Sequence, residues 1–324
     1  MLSRLKPAFS LLLLTPLIAE YLLGSLSFAQ LPLFPLMVLM YGAGVLFVRE
    51  VARRSGRGWP AIILLGLAYG VIEEGLATQS LFNPHYLGLR LLDYGFIPAL
   101  GIGGPWTVYV VVLHVAWSVA VPIGFTEALF GGQRQTPWLQ KTGLAISGLG
   151  YVVGVALVTL GTHQKEKFTA SGTQLGASAL VALLLVAATF LFLRRKEAGV
   201  AESPGDPRWN PRAMGILTFV TGSIFHLITQ LGSSYLAPGV AVVIALAIPA
   251  GVVGVVFARS RSAGWSDAHE DGLVLGALLA YCWLGFFLTV RLHGAGSVPG
   301  QCFPFAIVMG LIGWRFIRRP RAGA

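Results

Sequence analysis

Apolar residues fill the chain in blocks of about twenty, and most charged residues stand in the short gaps between blocks. Segments near 8–27, 32–48, 59–80, 105–130, 142–161, 174–193, 213–236, 238–258, 272–290 and 303–317 are each read as a membrane span. Lipid cannot satisfy exposed backbone N–H and C=O groups, so only helices and closed barrels cross it, and runs near twenty residues select helices. The pattern predicts an all-α fold, a polytopic transmembrane bundle of about ten spans.

Composition agrees with that reading and removes a competitor. Of 324 residues, 55% are hydrophobic and 11% charged, and the mean hydropathy is +0.75, far from the balance of a soluble domain. A net charge of +10 would suggest nucleic-acid binding in a soluble protein, but here it sorts by membrane side. With the N-terminus inside, 19 of the 23 Lys and Arg fall on one face, the exceptions being Arg90, Lys165, Lys167 and Arg291. The positive-inside rule places that face and both termini in the cytoplasm. The expected setting is a cell membrane, that of a prokaryotic cytoplasm, with the lipid bilayer as partner and no nucleic acid.

Three further features bear on organisation. Arg4 and Lys6 precede the first apolar run and Ser27-Phe28-Ala29 resembles a signal-peptidase site, yet the run is long for a signal core, so a retained helix is expected. The polar stretch 194–212, with Gly199, Pro204, Gly205, Pro207 and Pro211, reads as a cytoplasmic linker between six helices in 1–193 and four in 213–324. No echo of the third or fourth span is visible in the eighth or ninth, as an inverted repeat would give. Cys282 and Cys302, the only cysteines, supply neither a disulfide framework nor a cysteine zinc cluster.

Candidate chemistry lies in ionisable residues inside the spans, each costing about 2.5–3.5 kcal/mol at mid-membrane on insertion scales. Glu20 is in the first span, Glu73 and Glu74 in the third, His114 and Glu127 in the fourth, and His226 in the seventh. At about 1.5 Å of rise per residue, Glu20, Glu73 and His226 sit roughly 20 Å from the cytoplasmic side and His114 about 13 Å from the outer side. These four share a layer in the outer half. Glu127, near the cytoplasmic end and close to Arg134 in sequence, reads as structural. Adjacent glutamates on a helix point about 100° apart, so Glu73 and Glu74 can share a site but not a direction. Such a pair divides naturally into proton donor and proton acceptor, which suits activation of water, with the histidines holding that water or a developing oxyanion. Ser118 follows His114 at i+4 and Gln230 follows His226 at i+4, giving each imidazole a polar neighbour. Beyond the doublet, a Gly-rich outer stretch containing Asn83, Pro84 and His85 is open to two readings, a re-entrant lid over the layer or an ordinary outer loop.

Glu73-Glu74 followed by histidines on two later helices resembles the CAAX-protease and bacteriocin-processing (CPBP) family of intramembrane glutamic proteases. Thr78 stands where that pattern has a basic residue, Val110 where it has an aromatic, and Gln230 where it has Asn. The resemblance implies peptide-bond hydrolysis, with Glu73 or Glu74 as general base, His114 and His226 positioning water or oxyanion, and Ser118, Gln230, Asn83 and Glu20 in support. The substrate would be a membrane-embedded peptide or a lipidated molecule entering from the bilayer. No cofactor is called for, and with no H-E-x-x-H spacing no metal is predicted. Two other readings stay open: a proton-coupled transporter using the same carboxylates, with Pro122, Pro238 and Pro249 suiting broken helices, or an accessory membrane protein whose polar layer only ties helices together.

Overall fold

The computed structural model describes residues 2–193, 209–262 and 264–317. Residues 194–208 of the expected linker, with Arg194, Arg195, Lys196 and Arg208, lie outside the described residues, as do Arg318, Arg319 and Arg321. Among the described residues ten helices are long and apolar enough to cross a membrane. They are α1 (Leu5–Leu22), α2 (Phe28–Arg54), α3 (Gly58–Ala77), α4 (Gly104–Leu129), α5 (Lys141–Glu166), α6 (Gly172–Leu191), α7 (Pro211–Ser234), α8 (Pro238–Arg259), α9 (Asp267–His293) and α10 (Ala295–Arg315). The protein is a multi-pass helical membrane protein.

Of the boundaries that differ from the sequence reading, three lie in α1 and α2. Helix α1 ends at Leu22 because Gly24, at φ +78°, turns the chain away. Ser27 and Gln30 form a capping box that starts α2 at Phe28, before the expected residue 32. At its other end α2 runs through Arg49, Glu50 and Arg53, which charge alone assigns to a loop. These residues stay helical and buried because α4 answers them. Glu127 accepts from Arg49 Nε at 3.0 Å and from Arg53 at 2.9 and 2.5 Å, while Arg49 Nη1 donates to Glu50 at 2.7 Å. Arg134, the neighbour expected for Glu127, instead donates to Asp271 at 2.5 Å. The basic face of the bundle is thus closed by a buried ion-pair network.

Helices α3, α4 and α9 lie mostly inside the bundle, whereas α5, α6 and α8 turn most of their surface outward. The outward residues are large and apolar, among them Leu149, Leu160, Leu183, Leu184, Val243 and Phe257, as a lipid-facing surface requires. Close backbone approach fixes the inner helices. Gly42 of α2 faces the Leu12 carbonyl of α1 so tightly that a Cβ would be driven into it. Gly42→Ala is therefore expected to destabilise by about 1–3 kcal/mol. Thermal unfolding in detergent checks this, and an unchanged midpoint would contradict it.

Candidate functional site

Four of the inner helices widen by a π turn, and each widened turn carries part of one polar cluster. They are Leu17–Leu22 with Glu20, Val38–Gly42 with Tyr41, Ile72–Ala77 with Glu73 and Glu74, and His114–Ala120 with His114 and Ser118. A π turn inserts one residue into the helical ladder, which weakens the helix locally and re-aims the side chains around it. Such turns concentrate where a site needs a geometry that a regular helix cannot supply. Here four of them converge in the outer half of one bundle.

Glu74 and His114 form the tightest link. His114 Nε2 lies 2.7 Å from Glu74 Oε1, and its Nδ1 lies 3.0 Å from Ser118 Oγ, one turn further along α4. The second Glu74 oxygen accepts from Thr78 Oγ1 at 3.0 Å and from Ser80 Oγ. Ser80 Oγ in turn accepts from Trp106 Nε1 at 3.3 Å. Thr78, which replaces the basic residue of the CPBP pattern, thus contacts the second glutamate directly. Glu73 is placed differently. Its Oε2 stands 3.2 Å from His114 Nδ1 but accepts no hydrogen bond among the described residues. Glu73, Glu74 and His114 are only 2%, 7% and 3% exposed. Gly70 lets α3 and α4 come together at this point, because a Cβ there would lie 3.1 Å from that of His114.

Glu20 joins from α1. Its carboxylate accepts from Tyr41 and from Ser25 Oγ, and the Tyr41 ring stacks on His114 at 6.2 Å between centroids. Tyr69 packs against both Tyr41 and His114, each at 6.2 Å.

The outer stretch after α3 divides in two. Its first part folds over the cluster: Thr78, Gln79, Ser80, Leu81 and Asn83 are buried, and Gln79 Oε1 anchors it by accepting from the Ala170 N–H at 2.7 Å. Asn83 Oδ1 accepts from the His85 N–H at 3.0 Å and shapes the turn there. Burial, with the nearby charges of Glu74, Glu20 and Glu73, pushes the Tyr86 phenol well above its ordinary value. The second part is an exposed hairpin pairing Phe96–Ile97 with Ile102–Gly103.

His226 stands apart from this constellation, although its depth was expected to bring it in. Helix α7 turns it toward aromatic rings of α4 and α9, with Trp117 at 4.3 Å, Tyr281 at 5.8 Å and Trp283 at 6.4 Å. Both its ring nitrogens lack a hydrogen-bond partner among the described residues. Gln230 accepts from Arg291 at 3.1 Å rather than supporting His226. Since His226 is held by packing, His226→Phe is expected to change stability by less than about 1.5 kcal/mol. A thermal-unfolding loss well beyond that would show polar support.

Sequence reasoning missed Tyr41, Tyr69, Ser80 and Tyr86, which line or cap the cluster. Only the run of small hydroxyl residues after the doublet signalled any of them.

A family model described as an uncharacterized membrane protein family matches residues 10–311. The chain belongs to that family. No curated protein and no solved structure matches it. The match spans all four π turns and carries the membrane character of the chain; it lends nothing to the CPBP resemblance.

Proposed function

We propose that the protein is an intramembrane hydrolase in which Glu73 activates water beside a His114 held by Glu74 and Ser118. The observation that carries this reading is the unpartnered Glu73 Oε2, buried and 3.2 Å from the imidazole. An ionisable oxygen left without a donor at membrane depth costs free energy that packing does not return. It is oriented to accept a proton from a water. In the reaction, Glu73 takes one proton from that water as its oxygen bonds to the scissile carbonyl carbon. The C–N bond then breaks and the departing nitrogen receives the proton. His114, set between Glu74 at Nε2 and Ser118 at Nδ1, positions the water beside Glu73. The depth of the cluster selects a membrane-borne substrate, a peptide segment or lipidated chain arriving through the bilayer. The cap formed by Thr78, Gln79 and Ser80 has to shift to admit it. This is the chemistry implied by the CPBP resemblance, with one histidine in place of two.

The test is cleavage of quenched-fluorescent transmembrane and lipidated peptides by the protein in proteoliposomes. Activity present in the unaltered protein and lost in Glu74→Gln supports the reading. Proton-coupled transport is the second reading, favoured by the run of proton-bearing groups from Ser25 through Glu20 to Tyr41 and from His114 through Glu74 to Ser80. Flux driven by a pH gradient, without cleavage, would replace the hydrolase by the transporter.

A further inference from the structure

We infer that Glu73, Glu74 and His114 form a binding site for one divalent transition-metal ion of the zinc class, an inference that deepens the hydrolase reading and rests on it for its catalytic meaning. Three observations point the same way.

The first is geometry. Each of the three residues offers one ligand atom, and these atoms lie within 4.8 Å of one another, on buried side chains. Bonds of 2.0–2.2 Å at tetrahedral angles place ligand atoms around zinc about 3.3–3.5 Å apart. His114 Nε2 now lies 2.7 Å from the nearer Glu74 oxygen, and the three ligand atoms stay within 4.8 Å of one another, so small side-chain shifts bring the set to zinc spacing. Three protein ligands leave a fourth position for water, the arrangement of catalytic rather than structural zinc sites.

The second is the orientation of His114. A metal-binding histidine is generally fixed by donating its other ring N–H to a neighbour, which leaves one nitrogen free to coordinate. Ser118 Oγ at 3.0 Å from Nδ1 fills that role, and Nε2 is left facing Glu74 across the gap where an ion replaces the shared proton. The Glu74 carboxylate is itself held by Thr78 and Ser80, as the outer shell of a metal site holds its carboxylates.

The third is charge. Glu20, Glu73 and Glu74 bring three carboxylates together at membrane depth, and among the described residues no lysine or arginine pairs with any of them. Isolated buried carboxylates are costly unless paired or bound to a metal. The basic face of the same protein shows the usual solution, guanidinium groups around Glu127, and the outer cluster lacks it. A divalent cation supplies the missing charge, and the unpartnered Glu73 oxygen gains a partner. Glutamate oxygens with one imidazole are hard to borderline donors, suited to Zn²⁺, Mn²⁺ or Co²⁺ rather than to a soft ion. The bound ion would make the proton of a coordinated water easier to remove; the reaction would balance as above, the proton passing to the Glu73 oxygen that does not hold the ion.

The experiment is metal analysis of the full-length protein in nanodiscs after equilibration with Zn²⁺ and removal of excess. The expected result is about one zinc per chain, lost in Glu74→Gln and His114→Ala and retained in His163→Ala, which alters an exposed histidine outside the site. Ser118→Ala should weaken zinc affinity by about 10–100-fold, the usual effect of removing a partner that orients a ligand. A readout that needs no variant is the unaltered protein itself, whose thermal midpoint should rise with Zn²⁺ relative to chelator. An unaltered protein that binds no stoichiometric Zn²⁺, Mn²⁺ or Co²⁺, or folded variants with full metal content, would overturn the inference. Cleavage that survives complete chelation would overturn it while leaving the hydrolase reading intact. Stoichiometric metal without cleavage of any peptide would keep the inference and remove the hydrolase.

Discussion

Glu73→Gln is expected to lower peptide cleavage by about 10²–10⁴-fold, the range for loss of a positioned general base, while leaving the fold as stable as before or more so. The two halves of this expectation have one cause. Glu73 Oε2 accepts no hydrogen bond among the described residues, and an amide there removes an ionisable group from the interior while keeping a carbonyl oxygen to accept from neighbouring hydroxyls. A group kept for chemistry is often one whose replacement stabilises the fold. Parallel cleavage assays and thermal unfolding measure both halves. A variant that loses stability and activity together would mark Glu73 as a structural residue.

Glu127→Ala should behave in the opposite way. The Glu127 carboxylate receives both Arg49 and Arg53, and all three side chains are almost completely buried. Removing it leaves Arg53 without a carboxylate and Arg49 with Glu50 alone, and breaking a buried pair from one side costs about 3–5 kcal/mol. Arg49 also donates to the Gln133, Arg134 and Thr136 carbonyls, so the loop after α4 should loosen as well. The expected result is a large drop in the unfolding midpoint and easier proteolysis near residues 131–139, with any activity that remains still dependent on Glu73. A midpoint unchanged by Glu127→Ala would contradict this reading of the basic network. The two glutamates, one near each side of the membrane, thus separate a functional cluster from a structural one by the sign of the stability change.

The ten spans were legible because lipid imposes length and apolar content on every crossing, and both are written directly in the sequence. The depth of Glu20, Glu73 and His114 was legible for the same reason, since helical rise is fixed. Rotation about the helix axis was not. His226 has a suitable depth, but α7 packs on α9 so that it turns toward Trp117 and Tyr281, and no periodicity in a nearly uniform apolar run records that choice. The extension of α2 through Arg49 and Arg53 was hidden because its partner, Glu127, lies 78 and 74 residues away. The π turns leave no compositional trace, and they bring in Tyr41, whose aromatic side chain reads as packing until its hydroxyl is seen on Glu20. What sequence alone could establish was which charges stand inside the membrane; which of them meet depends on packing.

The most direct test of the central reading is mass-spectrometric analysis of a library of transmembrane and lipidated peptides incubated with the protein in nanodiscs, with Glu73→Gln in parallel. The expected result is a discrete set of cleavage products formed by the unaltered protein and absent with Glu73→Gln. Products of equal abundance in both samples, or none in either while both proteins remain folded, would contradict the assignment of Glu73, Glu74 and His114 as a hydrolytic site.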